Sequence, residues 1–271
     1  MTELLPESMS ASGTPLPAPA DFDPQVHLTQ LQAGCELLGI PLDVQQLIQF
    51  ELYYRELVEW NDKFNLTAIT DYTEVQVKHF LDSLVALPLI AQATGDVVPP
   101  TQPLHLLDVG TGAGFPGIPL KIVAPQLKVT LMDGTGKKIT FLRELVAKLE
   151  LTDVAMVQGR AEEVGIRPDY RAQFDLVTAR AVASLNTLVE YLLPLVRQGG
   201  WAVIYKGASA PQELLEARKA IELLGGGTVR LEPAQVPFLN EQRYILLIKK
   251  QHPTPERYPR GQGLPRKKPL T

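Results

Sequence analysis

Between residues 104 and 250 the apolar positions fall in short runs rather than in one continuous helical stripe. Leu104, Leu106, Leu107 and Val109 form such a run, interrupted only by Asp108 near its end, as in a strand buried on both faces. Similar runs predict strands near 128–133, 153–157, 173–178 and 200–205, and an antiparallel pair near 228–236 and 242–249. Helical spacing near 137–149, 184–196 and 211–224 supplies elements to cover both sheet faces. This alternation predicts an α/β fold: an open three-layer sheet, mostly parallel with a C-terminal antiparallel strand. Ligands of such sheets lie beyond the carboxyl ends of the strands.

Ahead of the sheet, Leu28, Leu31, Cys35 and Leu38 recur at helical intervals. Val44, Leu47, Ile48 and Leu52 continue the pattern in a second helix capped by Asp43, and Val77, Leu81, Leu84 and Val85 mark a third. The chain therefore divides into a helical cap over 25–95, a sheet domain over 96–250 and a basic tail over 251–271. Residues 1–24 carry Pro6, Pro15, Pro17, Pro19 and Pro24 among small polar residues, which predicts a disordered extension.

At 271 residues and 45% hydrophobic, the chain can bury a substantial core. The single cysteine, Cys35, rules out an internal disulfide and a cysteine-based zinc cluster, and its helical spacing makes it a packing residue. No apolar stretch reaches the ~18 residues that a membrane span needs. The N-terminus lacks the charged and apolar regions of a signal peptide, so a cytoplasmic enzyme is expected. A net charge of −4 argues against a protein that coats nucleic acid. Charge is locally concentrated, however: Arg257, Arg260, Arg266, Lys267 and Lys268 crowd the tail, which can touch phosphates or stay solvated.

Candidate chemistry collects at the predicted strand ends. Gly110, Gly112, Gly114 and Gly117 follow the first strand, and Pro116 can open a helix. A strand, a glycine loop and a helix start form a cradle in which backbone N–H groups approach a ligand closely. The G-x-G-x-x-G at 112–117 lies two residues beyond the glycine that ends the strand, which disfavours a nicotinamide dehydrogenase. Asp133 ends the second strand, where a carboxylate can accept both hydroxyls of a ribose. The turn at Ala161 and Glu162 follows the third strand and is placed for an adenine edge. Arg180 leaves the fourth strand beside the loop, where it could hold a carboxylate, a base or a phosphate.

Several longer segments resemble a known family. The Asp-Val-Gly-Thr-Gly loop, the Asp133 strand and Gly199–Gly207 are similar to class I S-adenosylmethionine-dependent methyltransferases. Closer still, Trp60–Thr67 (WNDKFNLT), His79–Ser83 (HFLDS) and Asp108–Pro119 (DVGTGAGFPGIP) resemble the bacterial small-subunit ribosomal RNA guanine-N7 methyltransferases, first called glucose-inhibited division protein B. Lys137-Lys138, Arg180-Ala181 and the tail from Tyr258 to Pro265 add to the likeness, which covers roughly residues 45 to 269.

The resemblance implies a class I methyltransferase-like (Rossmann-like) sheet, S-adenosylmethionine as cofactor and small-subunit (16S) ribosomal RNA, or the small subunit itself, as partner. It brings cofactor contacts to Gly110, Gly112, Gly114, Phe115, Asp133, Gly134, Thr135, Ala161, Glu162 and Arg180. Arg180 and His79 become the expected catalytic pair, and Asn65, Lys137, Lys138, Lys206, Arg243, Arg260 and Lys267 the expected RNA contacts. A monomer is favoured.

The residues themselves narrow the acceptor. Cys35 lies in a cap helix, away from the chemistry of cytosine C5 methylation, and Thr178-Ala-Arg180-Ala181 does not match the Asn/Asp-Pro-Pro-aromatic turn used for exocyclic amines. Guanine N7 carries an in-plane lone pair and needs no base, so His79 is expected to hydrogen-bond rather than to move a proton. The guanine itself comes only from the resemblance. Asn61, Asn65 and Thr67 are expected to close the pocket from the cap, although Asn65 fits equally a helix C-cap. Trp60 and Phe64, one helical turn apart, read as core. Two other functions stay open: a methyltransferase for another RNA, a protein or a small molecule, and a non-catalytic RNA-binding assembly factor.

Overall fold

The computed structural model describes residues 15–261 and 263–270. Seven strands form one sheet in the order β3-β2-β1-β4-β5-β7-β6. They are β1 (His105–Val109), β2 (Lys128–Asp133), β3 (Val154–Gln158), β4 (Phe174–Arg180), β5 (Val196–Lys206), β6 (Gly226–Ala234) and β7 (Arg243–Lys250). Strands β1 to β5 run parallel, and β7 is antiparallel to both of its neighbours. The chain steps from β1 outward to β3 and then restarts at β4 on the other side of β1. That reversal opens a crevice at the carboxyl ends of β1 and β4.

Helices α1 (Thr29–Leu37) and α2 (Val44–Phe64) begin the cap. Asp43 caps α2 as predicted: its carboxylate accepts from the Gln46 amide at 2.8 Å while the Gln46 side chain accepts from the Asp43 amide at 3.0 Å. The third expected helix is built in pieces, α3 (Tyr72–Val75), a π-helical segment (Gln76–Leu81) and α4 (Asp82–Leu84). Helix α5 (Leu87–Thr94) follows at once, with Pro88 in its first turn.

Next come α6 (Gly117–Val123), α7 (Gly136–Lys148), α8 (Ala161–Val164), α9 (Leu185–Leu192), α10 (Ala210–Leu223) and α11 (Leu264–Lys267). One apolar core joins Tyr53, Leu57 and Phe80 of the cap to Ile118, Phe141 and the sheet residues Leu106 and Leu131. A second core joins Leu107 and Val177 of the sheet to Leu188, Leu192 and Ile221 of α9 and α10. The sheet is thus covered on both faces. None of the described helices is long and apolar enough to cross a membrane.

Three sequence expectations need correction. Strand β5 starts at Val196 rather than near 200, and α9 ends at Leu192 rather than near 196. Residues 15–24 are not a disordered extension: Asp21 forks onto Arg55 of α2 at 2.9 and 3.0 Å, and Phe22 packs on the core. Residues 1–14 lie outside the described residues. Nor does the tail hang free. Arg171 donates to the carbonyls of Thr254 and Tyr258 at 2.8 and 2.7 Å, and Thr254 and Tyr258 are buried.

Candidate active site

The glycine loop is fastened before any ligand is considered. Gly110 and Thr111 both donate backbone N–H groups to the Met132 carbonyl, at 2.8 and 3.0 Å, which ties the loop to β2. Behind it, fully buried Asp108 accepts from the Thr111 hydroxyl at 2.6 Å and from the Gly117 amide at 2.9 Å, both at Oδ2. Burial pushes its carboxyl up to about 6 against the pull of these bonds. Its Oδ1 has no hydrogen-bond partner among the described residues.

Asp133 stands at the end of β2, buried but for its edge. Its Oδ1 accepts from the Thr135 amide at 2.8 Å and its Oδ2 from the Gly112 amide at 3.1 Å, with Lys138 Nζ at 3.5 Å. These bonds fix the carboxylate, and Oδ1, with a single donor, keeps a further lone pair for a hydroxyl. Beside it lies a cavity of about 360 Å³ bounded by Gly110, Asp133, Gly134, Ala161, Glu162 and Val182. Arg160, Tyr191, Gly263 and Arg266 also line it.

A second cavity, of about 420 Å³, shares Val182 as a wall. Arg180 is its centre. One guanidinium nitrogen, NH1, donates to Asp82 at 2.8 Å and reaches the carbonyls of Lys78 and His79 at 3.3 and 3.4 Å. Its other terminal nitrogen, NH2, has one long contact, 3.4 Å to His79 Nδ1. The guanidinium lies 5.1 Å from the centre of the Phe115 ring. Asp82 bridges two arginines, since Arg243 Nε also donates to it at 3.1 Å. The aspartate belongs to the HFLDS segment, yet its role emerges only where β4 and β7 meet the cap.

His79 stacks on Phe115 with ring centres 4.5 Å apart, and Phe115 stacks in turn on Tyr53 at 5.2 Å. Its Nε2 is hydrogen-bonded to Thr67 Oγ1 at 2.8 Å, and Asn61 accepts from the Thr67 amide at 2.8 Å. Burial, and then the Arg180 charge, lower the imidazole to about 3. His79 is therefore neutral, and Asn61 and Thr67 buttress it rather than closing the pocket.

The remaining polar groups of this cavity are also occupied. Lys206 donates to the Ala183 carbonyl at 2.8 Å and to Glu213 at 2.7 Å, and Glu213 accepts from the Leu185 amide at 2.7 Å as well. Tyr205, whose hydroxyl burial raises well above its ordinary value, donates to the Ser83 carbonyl at 2.7 Å.

The structure thus brings nine of the eighteen expected residues to the two cavities. Gly110, Asp133, Gly134, Ala161 and Glu162 line the first cavity and His79, Arg180, Lys206 and Arg243 the second, while Gly112, Gly114, Phe115 and Thr135 line neither. Five expected RNA contacts line neither cavity, among them Lys138, whose Nζ lies 3.5 Å from Asp133 Oδ2. Asn65 is an exposed C-cap of α2 at φ 50°, the role its position after the helix also allows. Lys137 lies over the Phe64 ring at 5.2 Å, outside both cavities, and Lys267 is exposed on α11.

Arg260, the fifth, is a correction: its Nε and NH2 fork onto Glu190 of α9 at 2.9 and 2.6 Å, and NH2 also donates to the Lys268 carbonyl at 2.8 Å. It is not free for a phosphate. Sequence reading missed Asp82, Glu213 and Arg160, and it gave Tyr191, Gly263 and Arg266 no place in the cavity.

Comparison with known proteins identifies the lineage. The family profile of rRNA small subunit methyltransferase G (GidB) matches residues 46–253, from α2 through the last strand of the sheet. The chain belongs to the rRNA small subunit methyltransferase G family. It is 46% identical over 245 residues to a ribosomal RNA small subunit methyltransferase G of Bacillus cereus, covering 90% of this chain and 99% of that one. Likewise it is 48% identical over 229 residues to a Lactobacillus acidophilus protein of the same name, covering 84% of this chain and 93% of the other. Among solved structures, the selenomethionine form of the CurJ carbon methyltransferase shares the fold, with a TM-score of 0.50 at 15% identity over 83% of this chain and 66% of that one.

The protein is a methyltransferase, and its cofactor is S-adenosylmethionine. The residues fit that group. Gly110 holds φ at +70°, and a Cβ there would stand 2.9 Å from Val182, so any side chain would crowd the wall between the cavities. Asp133 offers a fixed carboxylate beside the first cavity, and the orphaned Asp108 Oδ1 lies behind the loop. Asp133→Ala is expected to weaken S-adenosylmethionine binding by about 1–3 kcal/mol, the scale for hydrogen bonds to a charged group. Calorimetry giving the wild-type affinity would remove Asp133 from the site.

Proposed function

We propose that the protein methylates guanine N7 in small-subunit ribosomal RNA, with the cofactor's adenosine in the first cavity and the base in the second. Family membership brings the RNA. The observation that supports a ring nitrogen is the absence of a free base among the described groups lining the second cavity. Asp82 is held by Arg180 and Arg243, Glu213 by Lys206, and His79 is neutral with its pKa lowered to about 3. An exocyclic amine or a hydroxyl must lose a proton during transfer, whereas N7 has none to lose.

S-adenosylmethionine supplies a methyl group activated on a sulfonium. The protein's residues bind, orient and exclude water. Asp133 accepts the ribose hydroxyls, and the Ala161–Glu162 turn receives the adenine edge. Arg180 orients the guanine through O6. Its geometry suits that role, because NH1 is taken up by Asp82 and two carbonyls, leaving NH2 to give a single bond. A two-pronged contact to O6 and N7, the usual arginine reading of guanine, would cover the reacting atom. Lys206 and Arg243 line the same cavity, each paired with a carboxylate, Glu213 and Asp82 respectively. A single chain carries both cavities, which supports action as a monomer, and a ribosomal substrate supports action in the cytoplasm.

The test is methyl transfer from labelled S-adenosylmethionine to unmethylated small subunits, with naked ribosomal RNA in parallel. The product is read by strand scission after borohydride reduction and aniline treatment, which reports N7-methylguanine. Transfer to protein, or transfer that needs no RNA, would overturn the reading.

A pH experiment checks the neutral histidine. Single-turnover rates are expected to show no ascending limb from His79 between pH 5 and pH 8. In the folded protein the imidazole sits near 3 and in the unfolded chain near ~6.5, so its stabilising contribution is full above ~6.5 and is lost as pH falls towards 3. Wild type should therefore lose about 2 kcal/mol more stability than His79→Gln between pH 7 and pH 5. Parallel melting curves for the two proteins would show that His79 is an ordinary imidazole.

A further inference from the structure

The family profile ends at residue 253, but the cavity assigned to the cofactor does not. Gly263 and Arg266 line it together with Asp133, Ala161 and Glu162. They reach it because the tail is bolted to α9. Glu190 is fully buried and accepts from the Arg260 amide at 2.8 Å and from its guanidinium at 2.9 and 2.6 Å. Thr187, also on α9, donates to the carbonyl of buried Pro265 at 3.1 Å. A buried carboxylate left without its partner is strongly destabilising, so this fork fixes the tail firmly.

The bolts hold α11 against the cavity, and Arg266 is left over. Among the described residues its side chain makes no hydrogen bond or ion pair, although Glu162 and Tyr191 line the same cavity. Lys267 and Lys268 follow it but line neither ligand cavity. A planar guanidinium stacks on aromatic faces and excludes water from them, which an ammonium does poorly.

We propose that the C-terminal tail is part of the cofactor site, with Arg266 closing the first cavity over the adenosine of S-adenosylmethionine and the Glu190–Arg260 fork positioning it. This rests on the placement of the adenosine in that cavity. The tail then acts on the cofactor and not as an arm for RNA phosphates.

Calorimetric titration of the full chain with S-adenosylmethionine and with S-adenosylhomocysteine tests it. Both ligands share the adenosine, so Arg266→Ala is expected to weaken both about tenfold. The melting temperature of the cofactor-free protein should not move, because Arg266 is exposed. Arg266→Lys should recover only part of the loss. Thr187→Val, which removes one bolt and leaves the buried fork intact, should weaken both ligands by a smaller factor. Affinity for a ribosomal RNA fragment, read by fluorescence anisotropy without cofactor, should stay at the wild-type value.

Unchanged ligand affinities in Arg266→Ala would overturn the proposal, as would a loss confined to RNA. If wild type bound neither ligand, the cofactor placement itself would fall, a result distinct from a wild-type protein that binds and an Arg266→Ala protein that binds equally well.

Discussion

Arg180→Ala will lower single-turnover methylation of small subunits by about 100-fold or more, the scale of losing the orientation of a reacting group. The guanidinium sits between Phe115, His79 and Asp82, and no other described side chain holds the same place. The fold will survive, since Asp82 keeps Arg243 at 3.1 Å and Arg180 is a cation at a strand exit. Arg180→Lys will rescue poorly. A lysine can satisfy Asp82 or reach the base, but its point charge cannot do both in one plane. Thermal melting is the control. Near wild-type turnover in Arg180→Ala would end its assignment to the base, and a collapsed melting temperature would make it a structural residue.

Gly114→Ala should cost stability and binding together. Gly114 holds φ at +103°, outside the range that an alanine adopts comfortably. A Cβ would also stand 2.7 Å from Tyr53 Oη and 2.8 Å from Ile118 Cγ1. Tyr53 cannot simply retreat, because its hydroxyl donates to the Ala113 carbonyl at 2.6 Å and its ring stacks on Phe115. The expected loss is about 2–4 kcal/mol, combining backbone strain with overpacking. Chemical denaturation measures it. A variant with wild-type stability and cofactor affinity would show that cap and loop do not share this joint.

Much of this arrangement is legible in the sequence, for local reasons. Asp108 and Asp133 interrupt apolar runs at strand ends, glycines cluster where the chain must turn sharply, and Asp43 and Gln46 stand at capping-box spacing. What escapes the sequence depends on distant partners. Asp82 reads as a helix residue until Arg180 and Arg243, brought in by β4 and β7, converge on it. Glu190 reads as one more polar position on α9 until Arg260 enters the core beside it. Arg260 itself looks like a phosphate contact because local charge does not reveal a buried carboxylate. The early start of β5 is hidden because glycine pairs signal turns. Here Gly200 lies so close to β4 that a Cβ on it would stand 2.6 Å from the Asp175 carbonyl.

The π-helical segment Gln76–Leu81 carries a consequence for how this chain can change in length. On its N-terminal side, Gln76 accepts from the amides of Gln30 and Leu31 at 3.1 Å and so holds α1. On its C-terminal side, His79 and Asp82 face Arg180. The wider turn reconciles the two orientations with one surplus residue. Redrawing these six positions as a regular α-helix of unchanged length would swing everything beyond it by about 100° relative to Gln76. Either α1 or the arginine would then lose its partner. The one change of length that fits here is therefore loss of the surplus residue itself, at a position other than Gln76 or His79, with a regular turn taking its place.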